Sequence, residues 1–380
     1  MDNLTHSLVG LTAAKAGLER LSPGATVVCL LAANAPDCDV AILLVGDRWT
    51  YLHHHRGITH AIVGVAFLAL FIPLLVHGVD RLLAWFRHRA PKTKFRGLLL
   101  ASVIVTATHP LLDWTNNYGM RFFLPWSSKW YYGDLVYIID PYMWLLLGGT
   151  CFLLSAKTMG GKVIWATVAA VLTALVIFAP RAAGLPFFFA WFWVAAIVIL
   201  IVLFVLRAGR RFGNKIAIVA LAIVPCYWTF LGYAHSRALA SGYYQAMNSV
   251  LPPGEPIKRL AVMPTLASPL HWDCVFETDR ATYRFGLRLM SDNFPGTRVI
   301  RYEKPSGSLA QVMQDVSQDR PVQVFLGFAR FPVARMADPS CTAETLLQLA
   351  DLRYTEPGSR RGTFTLEQTV DCPMNDMGGR

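Results

Sequence analysis

The chain has 380 residues, of which 54% are hydrophobic and only 16% charged, and its mean hydropathy is +0.41. Soluble proteins carry about 25% charged residues, so these figures exclude a disordered, fibrous or ordinary cytosolic chain and make a bilayer part of the solvent. The net charge of +11 does not point to nucleic acid: 20 basic and 9 acidic residues precede position 241, and 15 of each follow it. The whole excess lies among the apolar segments, where basic loops set membrane orientation.

Taken in chain order, the opening MDNLTHS lacks the basic n-region of a cleavable signal, so the first helices are expected to be retained. Apolar stretches at 4–18 and 25–36 are too short or too punctuated to read as spans, which need about 20 residues. Residues 61–79, 97–112, 141–156, 163–180, 182–206 and 216–234 are the six expected spans. The loops between them alternate in charge. Loop 80–96 holds Arg81, Arg87, Arg89, Lys92, Lys94 and Arg96; loop 157–162 holds Lys157 and Lys162; loop 207–215 holds Arg207, Arg210, Arg211 and Lys215. The intervening loops hold only Arg121, Lys129 and Arg181. By the positive-inside rule, the chain before residue 61, loop 113–140 and everything from about residue 235 face away from the cytoplasm. Loop 113–140 is rich in Trp, Tyr and Phe, as an interfacial aromatic belt requires; a rim admitting lipid headgroups is the functional reading of the same residues.

The composition changes after Ala240. LPPGEP (251–256) reads as a linker, and RLAVMPT, LHWDCVFET, TYRFGLRLM, TRVIRYE and VQVFLGFARF read as strands. SLAQVMQDV and AETLLQLADL have helical spacing. The expected architecture is therefore an all-α polytopic membrane bundle over 1–240, followed by a soluble α+β domain over 241–380 on the periplasmic side. Seven cysteines show no CxxC spacing. Cys29, Cys151 and Cys226 lie in apolar runs and read as core residues, while Cys274, Cys341 and Cys372 leave room for one unassigned disulfide.

Histidines and aspartates gather where this topology puts one membrane face. They are His6, Asp37, Asp39, the run His53–His55, His60, His109 and Asp113. His60 begins one span and His109 ends the next, so antiparallel packing brings both to the same depth. His109 and Asp113 are four apart, on one helical face, and Asp37 follows Pro36 at a helix break. Imidazole with carboxylate suits zinc, and also manganese or iron, and ionisable groups at membrane depth mark function by default. His77 and His88 lie on the opposite side, and His53 and His54 read as solvated loop residues. Asp39 also fits a turn cap, and Asp134 and Asp140 fit caps at the start of a span. No GxSxG, HExxH or Walker A sequence competes, which leaves a metal-activated water as the economical nucleophile.

The segments MDNLTHSLVGLTAAKAG, ANAPDCD, HHRGITH, HPLLDWTNNYG, LPWSSKWYYGD and IIDPYMWLLL resemble the YdjM-type bacterial inner-membrane proteins, described as metal-dependent hydrolases. The resemblance is strong over residues 1–156 and looser beyond, through SPLHWDCVFET. It implies metal ligands at His6, Asp37, His55, His60, His109 and Asp113. Through a wider likeness to zinc-dependent phospholipase C and its kindred nucleases, it also implies a phosphodiester chemistry. His109 to Asp113 matches their H-x3-D step, whereas a second H-x3-E step is absent, so one or two metals are expected rather than three.

The expectation is a membrane-bound hydrolase of phosphoesters, phospholipids among them, with a divalent metal (zinc foremost) at the periplasmic face and no nucleic-acid partner. His6, Asp37, His60, His109 and Asp113 hold the metal and His55 is a ligand or supports one. Arg56 neutralises a phosphate oxygen, and Asp39 or Asp134 is the general base. The alternative is a non-catalytic scaffold whose tail recruits a partner and whose polar cluster only stabilises helix packing; a transporter fits less well, since the charged groups gather at one face.

Overall fold

A computed structural model of the chain describes residues 1–182, 188–289, 298–338, 340, 343–359 and 364–372. These residues form two compact units. The first comprises Met1–Val40, Arg56–Tyr233 and Thr265–Ser268; the second comprises Ala41–His55, Ala234–Pro264 and Pro269–Arg380.

The first unit is helical. Its elements are α1 (Asn3–Ala16), α2 (Ala25–Asn34), α4 (Ile62–Phe86), α5 (Phe95–Trp114), α6 (Pro141–Ser155), α7 (Met159–Ala182), α8 (Phe188–Val205), the short α9 (Ala208–Phe212) and α10 (Asn214–Gln245) as far as Tyr233; α3 (Arg48–His54) and the rest of α10 belong to the second unit. Among the described residues five helices are long and apolar enough to cross a membrane: Ala25–Leu44, Ile62–Phe86, Phe95–Trp114, Met159–Phe178 and Asn214–Val250. The first of these reads as too short in the sequence. The chain does not stop at Pro36 but tightens into a 3-10 helix through Leu44, which brings the apolar length to 20 residues. Conversely, Pro141–Ser155 and Phe189–Val205 fall below span length.

Close helix approach rests on small residues, as in membrane bundles generally. Ala13, Ala14, Ala25, Val28, Cys29, Ala32, Ala33, Leu98, Ala101 and Val105 form one buried cluster. A Cβ on Gly10 would lie 2.6 Å from the Cys29 carbonyl oxygen, so α1 and α2 could not meet with any larger residue there. A second cluster joins Leu8 and Val9 to Leu112, Trp144, Leu147, Trp193, Val224 and Leu231. Cys29 and Cys151 are buried as expected, but Cys226 is exposed on its helix.

The second unit carries two antiparallel sheets. One has the order β1-β2-β3-β4, from Arg259–Thr265, Ser268–Glu277, Ala281–Arg288 and Ile300–Glu303. The other has the order β5-β6-β7, from Pro332–Met336, Glu344–Asp351 and Thr365–Asp371. Helices α11 (Gly307–Asp315) and α12 (Arg320–Phe328) lie between them in sequence. Ala261, Met263 and Val275 of the first sheet share a core with Val333 and Ala350 of the second, around Phe331 and Leu352. Helix α3 is tied in by Arg48 Nη2 donating to the Thr365 carbonyl at 3.2 Å and Arg320 Nη2 donating to Thr50 Oγ1 at 2.6 Å.

Two segments of this unit differ from their sequence reading. VQVFLGFARF is largely helical, not a strand: Val322, Phe325 and Phe328 are buried at a spacing of three, with Pro321 in the first turn. AETLLQLADL is the central strand β6, not a helix. Its leucines favour a helix locally, but pairing on both edges with β5 and β7 buries it from Leu347 to Asp351, and such context overrides propensity. Cys274 is a free buried thiol and Cys372 is disulfide-bonded; Cys341 lies outside the described residues.

Candidate metal centre

Four elements of the first unit deliver the site. The end of α2 and the 3-10 turn after it carry Asp37 and Asp39, the turn before α4 carries His60, the last turns of α5 carry His109 and Asp113, and α1 carries His6. All lie at the end of the helices opposite the basic loop that joins α4 to α5.

Local chemistry shapes each piece. Asn34 closes α2 by donating to the Leu30 carbonyl at 2.9 Å and exchanging hydrogen bonds with Ser7 on α1. The turn into α4 begins at Arg56, whose φ of 51° is left-handed and uncommon for a non-glycine residue. The Gly57 carbonyl then accepts from the amides of His60 and Ala61 at 3.1 Å each. A Cβ on Gly64 would sit 1.9 Å from the Ile58 carbonyl oxygen, so α4 folds back under this turn only with glycine at that position.

Asp37, His60, His109 and Asp113 each offer a ligand atom, all within 4.8 Å of one another. His60 Nε2 lies 3.2 Å from His109 Nε2, 3.2 Å from Asp37 Oδ1 and 3.4 Å from Asp113 Oδ2. His109 Nε2 lies 3.6 Å from Asp37 Oδ1 and 3.4 Å from Asp113 Oδ2. His60, His109 and Asp113 are buried, while Asp37 is partly exposed at the edge.

The far side of each ring fixes its tautomer. His109 Nδ1 is 2.6 Å from the Ala33 carbonyl, which only accepts, so Nδ1 carries the proton. His60 Nδ1 is 3.4 Å from Asp39 Oδ2 and 3.0 Å from Thr59 Oγ1, and the carboxylate assigns the proton there as well. Both Nε2 atoms therefore point lone pairs inward, toward each other and toward carboxylate oxygens. Asp37 Oδ2 and Asp113 Oδ2 are buried acceptors without a hydrogen bond. So many converging lone pairs repel unless a positive charge sits among them, which is the donor set and tautomer pattern of a divalent-cation site.

His6 stacks on His109 with ring centroids 3.8 Å apart, and its Nε2 is 3.3 Å from Asp113 Oδ1. Neither of its ring nitrogens has a hydrogen-bond partner. The α-amino group of Met1 also contacts Asp113 Oδ1. His55 lies in the second unit, where it caps α3 and its ring stacks on Tyr51; it is not one of the four converging ligands. His53 and His54 are exposed. Asp39 accepts from the Arg56 amide at 2.9 Å as well as facing His60. Asp134 is buried with a left-handed φ of 54°, and Asp140 caps the first turn of α6 by accepting from the amides of Tyr142 and Met143.

Arg56 is buried and committed to the protein. Its Nη2 donates to Asp113 Oδ1 at 3.1 Å, and its Nη1 faces the Asp113 carbonyl, Asn116 Oδ1 and the Gly119 carbonyl at 2.9–3.2 Å. Tyr118 covers the guanidinium at 4.6 Å. Asn116 is a residue to which sequence reasoning gave no role. It joins Arg56 to the loop by also accepting from the Tyr118 amide, and the Asn-Asn-Tyr-Gly run after α5 was the signal for such a turn. In the same loop Trp126 and Phe123 are exposed, as an interfacial belt requires, whereas Tyr118 is spent on Arg56.

A family model for the YdjM inner membrane protein matches residues 1–184, a stretch that contains every residue of this centre. No curated protein and no solved structure matches the chain. With that match and its five apolar helices, the chain is a multi-pass inner-membrane protein whose residues 1–184 are similar to the YdjM family.

Proposed function

We propose that this protein is a metal-dependent hydrolase of phosphoesters, acting at the periplasmic face of the membrane. The observation that carries it is the inward convergence of two imidazole lone pairs and two carboxylates at one buried spot. A divalent cation held by Asp37, His60, His109 and Asp113 would supply Lewis-acid activation of a water and of a phosphoryl oxygen. His6, whose Nε2 lies 3.3 Å from Asp113 Oδ1, would complete or extend the ligand set.

The surrounding residues keep the ligands in register. The Ala33 carbonyl and Asp39 hold the protons of His109 and His60 outward, and such outer partners are worth about 10–100-fold in metal affinity. Arg56 fixes Asp113 through Oδ1 and leaves Oδ2 facing the cluster. Both of its Nη groups are engaged by the protein, so we assign it to positioning the metal ligand rather than to grasping phosphate. Asp39 is likewise an orienting group, which leaves Asp134 as the general base of this reading. Asp37 is the partly exposed member and marks the side from which substrate enters.

The periplasmic side is supported by the basic loops at the opposite end and by the disulfide at Cys372, a bond of oxidising compartments. The test is turnover of bis-p-nitrophenyl phosphate and of phospholipid vesicles by the purified, metal-loaded chain. Hydrolysis that disappears with chelator and in His60→Ala/His109→Ala supports the proposal. A folded, metal-loaded preparation inert toward both substrates would leave a structural metal and refute catalysis.

A further inference from the structure

Two cavities of the membrane unit meet at its basic end, where they share a residue. One, of about 220 Å³, is apolar and lies between α1, α6, α7 and α8, with Leu8, Trp144, Trp165, Leu172, Trp193 and Leu200 on its walls. The other, of about 610 Å³, is lined by Lys15, Arg20, Lys157, Lys162, Arg207 and Arg210. Lys162 lines both. Among the described residues Glu19 is the only acid on the second cavity, and Lys15 takes it at 2.7 Å. The other five cations have no carboxylate partner among the described residues.

Basic loops alone would explain cations near the cytoplasm, but not the gathering of cations from three loops around one cavity. The turn between α8 and α9 places Arg207 in a left-handed conformation, φ 55°. A Cβ on Gly209 would fall 2.0 Å from the Leu153 carbonyl oxygen. This turn is thus packed backbone-to-backbone on the end of α6, which sets Arg207 and Arg210 beside Lys157 and Lys162. Like charges gathered this way repel unless an anion sits among them. A soluble anion would answer the charge and leave the adjoining apolar cavity unfilled; a lipid answers both.

We infer that this paired cavity binds one anionic phospholipid of the cytoplasmic leaflet. Its phosphate lies among Lys157, Lys162, Arg207 and Arg210, and one acyl chain enters the groove between α6, α7 and α8. Basic pockets between membrane helices are the usual sites for such headgroups. The cationic cavity lies at the far end of the unit from the metal centre, while the apolar one runs from Lys162 toward Leu4 and Trp144; occupancy does not depend on hydrolysis.

The test is thermal unfolding and native mass spectrometry of the purified full chain, titrated separately with phosphatidylglycerol, phosphatidylcholine and glycerol phosphate. Phosphatidylglycerol is expected to raise the Tm saturably and to remain bound in the mass spectrum, with little effect from the other two. In Lys157→Gln/Lys162→Gln/Arg210→Gln the lipid-free Tm is unchanged and affinity falls about fivefold for each charge removed. Ala166→Phe, which fills the groove from an exposed position, weakens the lipid without touching a charge. Equal effects of phosphatidylcholine and phosphatidylglycerol would overturn the charge recognition. Equal effects of glycerol phosphate would overturn the acyl site, and wild-type binding by both variants would overturn the location.

Discussion

The two ends of the membrane unit handle charge in opposite ways. At one end Asp37, Asp39 and Asp113 are packed against His60, His109 and Arg56 in a knot where acids and bases interleave. At the other, six cations line a cavity and, among the described residues, Glu19 is the one acid there, taken by Lys15. An ionisable group far from water is costly unless paired, so the first arrangement survives only as a complete set. Apart from Lys15, the cations of the second are exposed, so each is hydrated and the loss of any one leaves no buried partner stranded, although together they repel. Removing one charge should therefore be severe at the first end and mild at the second.

The largest effect is expected for Asp113→Ala. It strands the buried Arg56 and removes contacts made by His6 and His109, and breaking one partner of a buried pair costs about 3–5 kcal/mol. Chemical or thermal unfolding in detergent should show it, and a loss below about 1 kcal/mol would mean the knot is not a unit. Gly64→Ala comes next. Its Cβ meets the backbone of Ile58, displacing the turn that presents His60, so metal affinity should fall while the lipid response at Lys157 and Lys162 stays intact. Asp39→Asn and Arg56→Lys should each leave the chain folded and weaken metal binding about 10–100-fold by isothermal titration; unchanged affinity in both would remove their orienting roles. Metal binding should also weaken on acidification, because protons compete with the cation for the ligand atoms. The smallest effect is reserved for a control outside the membrane unit. Asp47 caps α3 by accepting from the Thr50 amide at 2.7 Å, and Asp47→Ala should lower the Tm slightly without altering metal content.

The membrane unit was legible in the sequence because its signals are long. Apolar runs of span length and alternating basic loops located α4, α5, α7 and α10, and the i, i+4 spacing of His109 and Asp113 showed on which face they meet. The 3-10 continuation past Pro36 was hidden, because proline marks the end of an α-helix but not the end of a tighter one. The site was legible in its residue types and not in its division of labour. Nothing in the HHHRGITH segment distinguishes a histidine that faces the cluster, His60, from one that stacks on a tyrosine in the other unit, His55. Nor did it show that Arg56 would turn inward to Asp113. In the second unit β6 and α12 exchanged identities, since short apolar segments carry little periodicity and partners on both edges decide.

The most direct measurement is the metal content of the purified chain, by elemental analysis, for wild type and for His60→Ala/His109→Ala. About one divalent ion per folded wild-type chain, lost in the folded variant, is the predicted result. A folded wild-type chain that takes up no divalent ion even when offered zinc, manganese or iron would contradict it.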